Sequence, residues 1–391
     1  MIEKELSIIE ESDLDGLVTN SVSESKTLEY KSQLKIYSDK EKLEFLKDVS
    51  ALANSAGGDL IFGVDEEKGI AKSVSGIDID DPDRLGLQIE DILRYGVRPR
   101  ILNISIHIFK VHNDKFAIII RIPRSWFNPH RIVFKGNDKF YLRKSSGSYS
   151  MDVDELRIAF TGNEAIYKSI ENFKLERISK ILEDLTPVSL VDGPKVVLHL
   201  IPLSSFKDIK EIDLKYVSSD PINKLNPIYA RTNDWRYNLD GFLVYSNDKE
   251  RYRSYVQLFR NGIIEAVNAS LIRPIDKEQI IKDITFESTI IKSFSEYKKL
   301  LKELNVELPI IISVTLLEVK GYYMGKGTRI FFKDEQVYAI DRDHLFLPEL
   351  LMENYEQKED LLLKTIFDSI WNACGMERSL NYDIKTGNWN R

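Results

Sequence analysis

ALANSAGGDLIFGVDE, residues 51–66, closes one element and opens the next within a single run. Ahead of it, Ser38 is followed three residues later by Glu41, the capping-box pattern of a helix start. Leu43, Leu46, Val49 and Ala53 then recur at helical spacing and give that helix one apolar face. Asn54-Ser55-Ala56-Gly57-Gly58 ends it, because glycine accepts the left-handed turn that follows a helix. Asp59 to Val64 reads as a buried strand that runs out into Asp65-Glu66-Glu67.

Working outward, ESKTLEYKSQL (24–34) predicts a strand, and residues 3–20 a polar helix before it. Downstream, Asp81-Pro82 opens a helix with proline in its first turn, and Gly96 ends it. ILNISIHIF, KFAIIIRIP, HRIVFKG and KFYLRK follow as strand-like runs, with turn signals at Asn113-Asp114 and Gly136-Asn137. These elements predict an α+β fold: an N-terminal domain over 1–150 with a mixed sheet and helices. Residues 151–187 predict a helical connector, bounded by Pro187 and Gly193-Pro194. A second α/β domain is expected over 188–391. Its strands are KVVLHLIPL and PIIISVTLLEV, its hairpin turns at Asn261-Gly262, and its helices lie in EQIIKDITFESTIIKSFSEYKKLLKEL and EDLLLKTIFDSIWNAC.

Composition narrows the class. The 391 residues are 43% hydrophobic and 30% charged, which suits a soluble globular protein of two or more domains. No run reaches the roughly 18 apolar residues of a membrane span, and the acidic start MIEKELSIIEESD lacks the pattern of a signal peptide. The single cysteine, Cys374, excludes internal disulfides and zinc sites built on cysteine pairs, so a cytoplasmic location is expected. Net charge is −7, yet residues 94–144 hold twelve Lys/Arg against two acids, Asp114 and Asp138. Such a segment is either a solvated basic face or a phosphate-binding surface. Candidate nucleic-acid contacts within it are Arg98, Arg100, Arg124, His130, Arg143 and Lys144, with Ser146 just beyond.

ESKTLEYK followed by ALANSAGGDLIFGVDE resembles the Schlafen AlbA-type domain, also described as a divergent AAA or DNA-binding domain. Ser125, Pro129-His130 and Tyr141-Leu142-Arg143 extend the likeness over about residues 18–150. KLERISKIL, RYNLDGFLVY and VQLFRNGIIE resemble the second half of bacterial proteins that carry this domain. The resemblance implies a nucleic-acid-processing protein: a divalent-metal-dependent endoribonuclease acting on structured RNA such as tRNA, with phage defence as a setting. The alternatives are a non-catalytic DNA- or RNA-binding regulator and an ATP-binding protein. No Walker-type Gly-Lys-Ser/Thr occurs, which weighs against a standard ATPase.

The catalytic acids of the family match Glu24 and Glu29, with Lys31 beside them. The third acid of the family, an aspartate, aligns with Glu66, and Asp65 precedes it. On the residues' own terms, Glu29 and Lys31 are two apart on a strand and share a face. Carboxylates crowded at Glu24, Glu29 and either Asp65 or Glu66 call for a neutralising cation, and oxygen ligands favour Mg²⁺ or Mn²⁺; with the resemblance the metal set is Glu24, Glu29 and Glu66. The plain alternative is an exposed charge ladder worth under about 1 kcal/mol. The expected partners are RNA, a second copy of the chain supplying another lobe of a groove, and a protein or ligand trigger at the C-terminal domain. No membrane partner is expected. Asn54, Gly57 and Gly58 are a weaker phosphate candidate, and His199, inside an apolar strand, reads as a core histidine.

Overall fold

The computed structural model describes the whole chain apart from residues 1, 3, 127, 145–146, 208–210, 231–232, 247–250, 275–277, 326–337, 384–385 and 391. The chain divides into two compact units, Met1–Ala165 and Ile166–Arg391. In unit 1, α1 (Glu11–Thr19) precedes β1 (Leu28–Lys31), α2 (Asp39–Asn54), β2 (Gly58–Phe62), β3 (Val64–Glu67) and β4 (Ile70–Val74). Next come α3 (Pro82–Gly96), β5 (Val97–Arg98), β6 (Ser105–Lys110), β7 (Phe116–Ile122), β8 (Arg131–Ile132), β9 (Tyr141–Lys144) and β10 (Gly147–Ser150). The predicted connector is one helix, α4 (Val153–Leu182).

The central sheet of unit 1 runs β1-β2-β7-β6, with β1 parallel to β2 and the other pairs antiparallel. Its strands are near-continuous apolar runs because both faces are covered. Leu60, Phe62, Ile118, Ile120 and Ile122 pack on Phe45, Leu46, Val49 and Leu52 of α2. Leu28, Tyr30, Ile61, Ala117 and Ile119 pack on Leu6, Ile9 and Leu14 from the N-terminal segment. The alternation then turns Glu29 and Lys31 toward the α2 side of an edge strand.

Helix α2 forms as the sequence predicts: the Ser38 Oγ accepts the Glu41 N–H at 3.3 Å, and the Glu41 carboxylate accepts the Ser38 N–H at 2.8 Å. Gly57 and Gly58 serve close backbone approach, since a Cβ would meet Arg124 N and Thr27 O at 2.5 Å. Asn54 is buried and ties Tyr141 and His130 to the helix end, donating to their carbonyls at 2.9 and 2.8 Å. The Asn54-Gly57-Gly58 run is thereby accounted for by packing.

Three expectations change. The helix over 3–20 is instead a short 3₁₀ turn, Leu6–Ile8, followed by α1. The strand predicted at 24–34 is regular only over Leu28–Lys31. The strand through Val64 does not simply end: Gly63, at φ +91°, bends it and starts β3, which pairs with β4.

Unit 2 follows with β11 (Lys195–Pro202), α5 (Leu214–Ser218), α6 (Pro221–Lys224), β12 (Asn233–Tyr237), β13 (Gly241–Ser246), β14 (Ser254–Phe259), β15 (Ile264–Asn268), β16 (Ile280–Lys282) and α7 (Asp283–Glu303). It closes with β17 (Ile310–Leu317), β18 (Tyr323–Gly325), β19 (His344–Phe346), β20 (Leu350–Met352) and α8 (Glu359–Ala373). An antiparallel sheet ordered β12-β13-β14-β15-β11-β17-β19, with β20 also on β17, carries the hairpin at Asn261-Gly262. One face packs against Phe286 and Phe294 of α7 and Phe367 and Trp371 of α8. Val197, Leu243 and Tyr255 on the other face pack with Ile178 and Ile181 of α4. The molecule is α+β throughout. Among the described residues no helix is long and apolar enough to cross a membrane.

Candidate nucleic-acid site

Edge strand β1 and the β3–β4 hairpin bring the predicted acids to one concavity. A cavity of about 610 Å³ is lined by Glu24, Glu29, Lys31, Asp65, Glu66 and Arg143, together with Lys68 and Gly69. Within it the acids do different things. Glu24 takes the Tyr30 N–H at 2.9 Å, and its own N–H donates to the Gly69 carbonyl at 2.6 Å. Glu66 accepts the Gly69 N–H at 2.5 Å, and a Cβ on Gly69 would meet the Glu24 Oε2 at 3.4 Å, so both carboxylates approach the same turn. Asp65 takes the Ser73 hydroxyl at 3.0 Å.

Glu29 stands apart from these. One of its oxygens is paired with the Arg143 guanidinium, and the other lies 2.6 Å from the Lys31 ammonium. Strand β9 positions Arg143, whose N–H donates to the Ser55 Oγ at the end of α2. Lys31 also faces Asp48 of α2 at 3.5 Å, and the Ser148 hydroxyl donates to the other Asp48 oxygen at 3.3 Å.

Burial and the neighbouring Glu29 charge push the Asp48 carboxyl up to about 6, against the pull of Lys31, Arg143 and Ser148. For Lys31 burial works against the charge, but Asp48 and Glu29 more than offset it and raise the pKa. Sequence reasoning missed Asp48. Its signal was position: three residues after Phe45 and four before Leu52, it borders the buried stripe of α2.

Among the described residues no three His, Cys, Asp or Glu side chains are grouped to hold a metal ion. The expected ligand set Glu24, Glu29 and Glu66 is therefore not assembled as a three-acid cage. Glu29 is committed to two cations, while Glu24 and Glu66 remain neighbours at Gly69.

The basic segment is less available than its count implies. Arg121 makes two hydrogen bonds to the buried Asp59, at 2.7 and 2.9 Å, and two more to the Ile2 and Lys4 carbonyls. Arg131 pairs with Asp138 at 3.0 Å and Lys135 with Asp39 at 3.3 Å. Arg98 caps the end of α3 by donating to the Arg94 and Val97 carbonyls at 2.7 and 2.9 Å. Arg124 lies over the Trp126 ring and Lys144 over the Tyr149 ring, at 4.9 and 4.2 Å.

Two expected surface contacts are corrected. His130 is fully buried, with its N–H on Asn54 at 2.6 Å and its Nδ1 2.7 Å from the Pro99 carbonyl. Burial lowers its pKa against the Pro99 contact, so it is a neutral core group. Arg143 is also buried, and where it lines the cavity its guanidinium is paired with Glu29 rather than free on the surface. Arg100 stays exposed, and Ser146 lies outside the described residues.

In unit 2, His199 is a core histidine as expected, and it belongs to a buried charged group. Glu265 accepts from Arg177 at 2.9 and 2.7 Å and from Tyr255 at 2.8 Å, and lies 2.9 Å from His199 Nε2. Arg236 donates to the Pro187 carbonyl at 2.7 Å, and Asn238 donates to Gln257 at 2.6 Å, so both of these polar side chains of the RYNLD stretch have partners within unit 2.

Residues 24–152 match the family described as Schlafen, AlbA_2. Among curated proteins no match was found. Two solved structures share part of the chain. One is the N-terminal domain of a RecG-related protein from Nitrosomonas europaea, 19% identical, covering 34% of this chain and 86% of its own, with a TM-score of 0.26. The other is the DIP2311 protein from Corynebacterium diphtheriae, 12% identical, covering 36% of this chain and 26% of its own, also with a TM-score of 0.26. The match brackets the sheet, α2 and the acid-lined cavity of unit 1, and the chain carries a Schlafen AlbA_2-type domain at residues 24–152.

Proposed function

We propose that unit 1 binds structured RNA, with tRNA as the first candidate, and cuts its backbone as an endoribonuclease in the cavity between β1 and the β3–β4 hairpin. The observation that carries this reading is the convergence of Glu24, Glu29, Asp65 and Glu66 with Lys31 and Arg143 on one open cavity. Cutting requires a new bond from an attacking oxygen to phosphorus, loss of the bond to the leaving oxygen, and a proton for that oxygen. A carboxylate at the cavity takes the proton of the attacking hydroxyl or water, and a solvent water in the open cavity gives the leaving oxygen its proton. Lys31, whose side chain is 41% exposed, offsets charge on the phosphoryl oxygens. Glu29 and Asp48 hold that ammonium in place, and Arg143 holds Glu29.

Mg²⁺ or Mn²⁺ is part of the proposal: Glu24 and Glu66 would hold it, since Mg²⁺ commonly uses only one or two carboxylates beside its substrate. Such an ion would supply Lewis acidity to the phosphoryl group. A homodimer supplying the second lobe of the groove, a trigger recognised by unit 2 and a role in phage defence belong to the same reading.

The test is cleavage of tRNA by the full chain with Mg²⁺ or Mn²⁺, beside Glu24→Gln and Glu29→Gln variants. Loss of cutting with RNA binding retained supports the proposal. Binding without cutting by the wild-type chain under every condition makes the protein a non-catalytic regulator. Calorimetric ATP binding without RNA binding makes it a nucleotide-binding protein.

A further inference from the structure

We propose that a second, smaller cavity in unit 1, between α3 and the segment leading into β6, takes one unstacked base of the nucleic-acid strand. This rests on the nucleic-acid reading of unit 1 and adds a specificity pocket to it. The cavity is about 230 Å³, with Leu93, Ile101, Ile104 and Ile106 among its lining and Arg94 and Arg100 also lining it. Ligand pockets for drug-sized molecules span roughly 300–1,000 Å³, so this one suits a single flat ring. Leu93 belongs to the core cluster, and Ile101, Ile104 and Ile106 pack against it, which gives the floor a fixed shape.

Charge selects the occupant. Arg94 and Arg100 are exposed, and among the described residues neither makes an ion pair. The end of α3 would itself attract a cation through its last carbonyls, but Arg98 already donates to two carbonyls there. The other two guanidiniums remain for the phosphates on either side of an inserted base. Glu90 adds one acceptor at the lining, suited to an exocyclic amine of the base. An apolar peptide would leave both guanidiniums unused, and an acidic peptide has no flat ring for the floor. Single-stranded and bulged RNA is usually read through bases splayed out of the stack, which are the bases free to enter such a pocket.

The experiment is fluorescence anisotropy with the full chain and a labelled RNA carrying one bulged nucleotide, against the same RNA with that nucleotide abasic. Binding is read in EDTA to prevent cutting. The base-containing RNA is expected to bind about tenfold tighter, the scale of one stacked base. The exposed variant Leu102→Ser, at another lining residue, should shrink that gap. Arg94→Ala/Arg100→Ala should lower the salt slope for both RNAs by about one to two. Equal affinity for the two RNAs overturns the pocket while leaving the nucleic-acid reading intact. Failure to bind either RNA overturns both. Displacement of the RNA by free AMP at equal concentration overturns the strand assignment in favour of a mononucleotide.

Discussion

Arg143 reaches Glu29 across 114 residues of sequence, and the ion pair they form is almost wholly buried. Two elements have to be placed for this: β1 turns Glu29 toward α2, and β9 packs beside α2 with Arg143 facing in. The pair changes how the acid cluster is neutralised. Crowded carboxylates need compensating charge, and here Glu29 receives it from Arg143 and Lys31 within the chain. Glu29 thereby becomes the group that orients two cations, while Glu24, Asp65 and Glu66 line the rest of the cavity.

Removing Arg143 should therefore cost more than a surface charge. Arg143→Met leaves Glu29 buried with half its partners, and breaking a buried pair typically costs about 3–5 kcal/mol. Arg143→Met/Glu29→Gln, which removes both charges, should recover much of that loss. Urea unfolding of both variants measures it. Equal destabilisation of the single and double variants would mean that the pair is not the source.

Asp48 gives unit 1 a pH dependence of known sign. Its folded pKa is raised from 3.8 to about 6, so its favourable contribution is full below the unfolded value and is lost as pH rises through about 6. Above that, the charged carboxylate is a burden beside Glu29. Asp48→Asn should gain stability relative to wild type between pH 4 and pH 7, by on the order of 1–3 kcal/mol. Melting curves across that range are the check, and a flat difference would remove Asp48 from the coupled cluster.

Lys31 links that cluster to the proposed chemistry. Lys31→Met should slow RNA cutting by about one to three orders of magnitude, the scale of one electrostatic contact to a transition state. Asp48→Asn should tighten RNA binding, by removing a negative charge, while slowing cutting, because Lys31 loses one of its two anchors. A fall in KM together with a fall in kcat is the signature. A variant with unchanged KM and kcat would show that the anchor is dispensable.

The fold was largely legible because its signals are local. The capping box at Ser38, proline at the start of α3 and the Asn261-Gly262 turn each fix an element from a few neighbouring residues. The site was half legible. Glu24, Glu29, Lys31, Asp65 and Glu66 could be named because they lie close to two short motifs. Pairing between distant residues could not: Arg143 read as a nucleic-acid contact and Arg121 was only one of the twelve basic residues in 94–144, yet each neutralises a carboxylate in the interior. His130 read as a loop contact for the same reason. Its partner Asn54 is 76 residues away, and nothing beside it in sequence announces burial.

In unit 2 the last prediction concerns acid stability. Burial pushes the Glu265 carboxyl up, but hydrogen bonds from Arg177 and His199, with their charges, pull it down to about 2. A depressed carboxylate contributes stability that is present above the unfolded value of 4.5 and is lost as pH falls toward 2. Glu265→Gln leaves the Arg177 guanidinium buried without its counter-charge, a loss of about 3–5 kcal/mol at pH 7. That penalty should shrink below pH 4, where the wild-type carboxylate begins to lose its own advantage. Arg177→Met should be similarly costly, and Arg177→Met/Glu265→Gln less so than the sum of the two. Far-ultraviolet melting at pH 7 and pH 3 measures all three. A Glu265→Gln protein as stable as wild type at pH 7 would mean that the group is merely tolerated in the sheet and does not hold α4 against it.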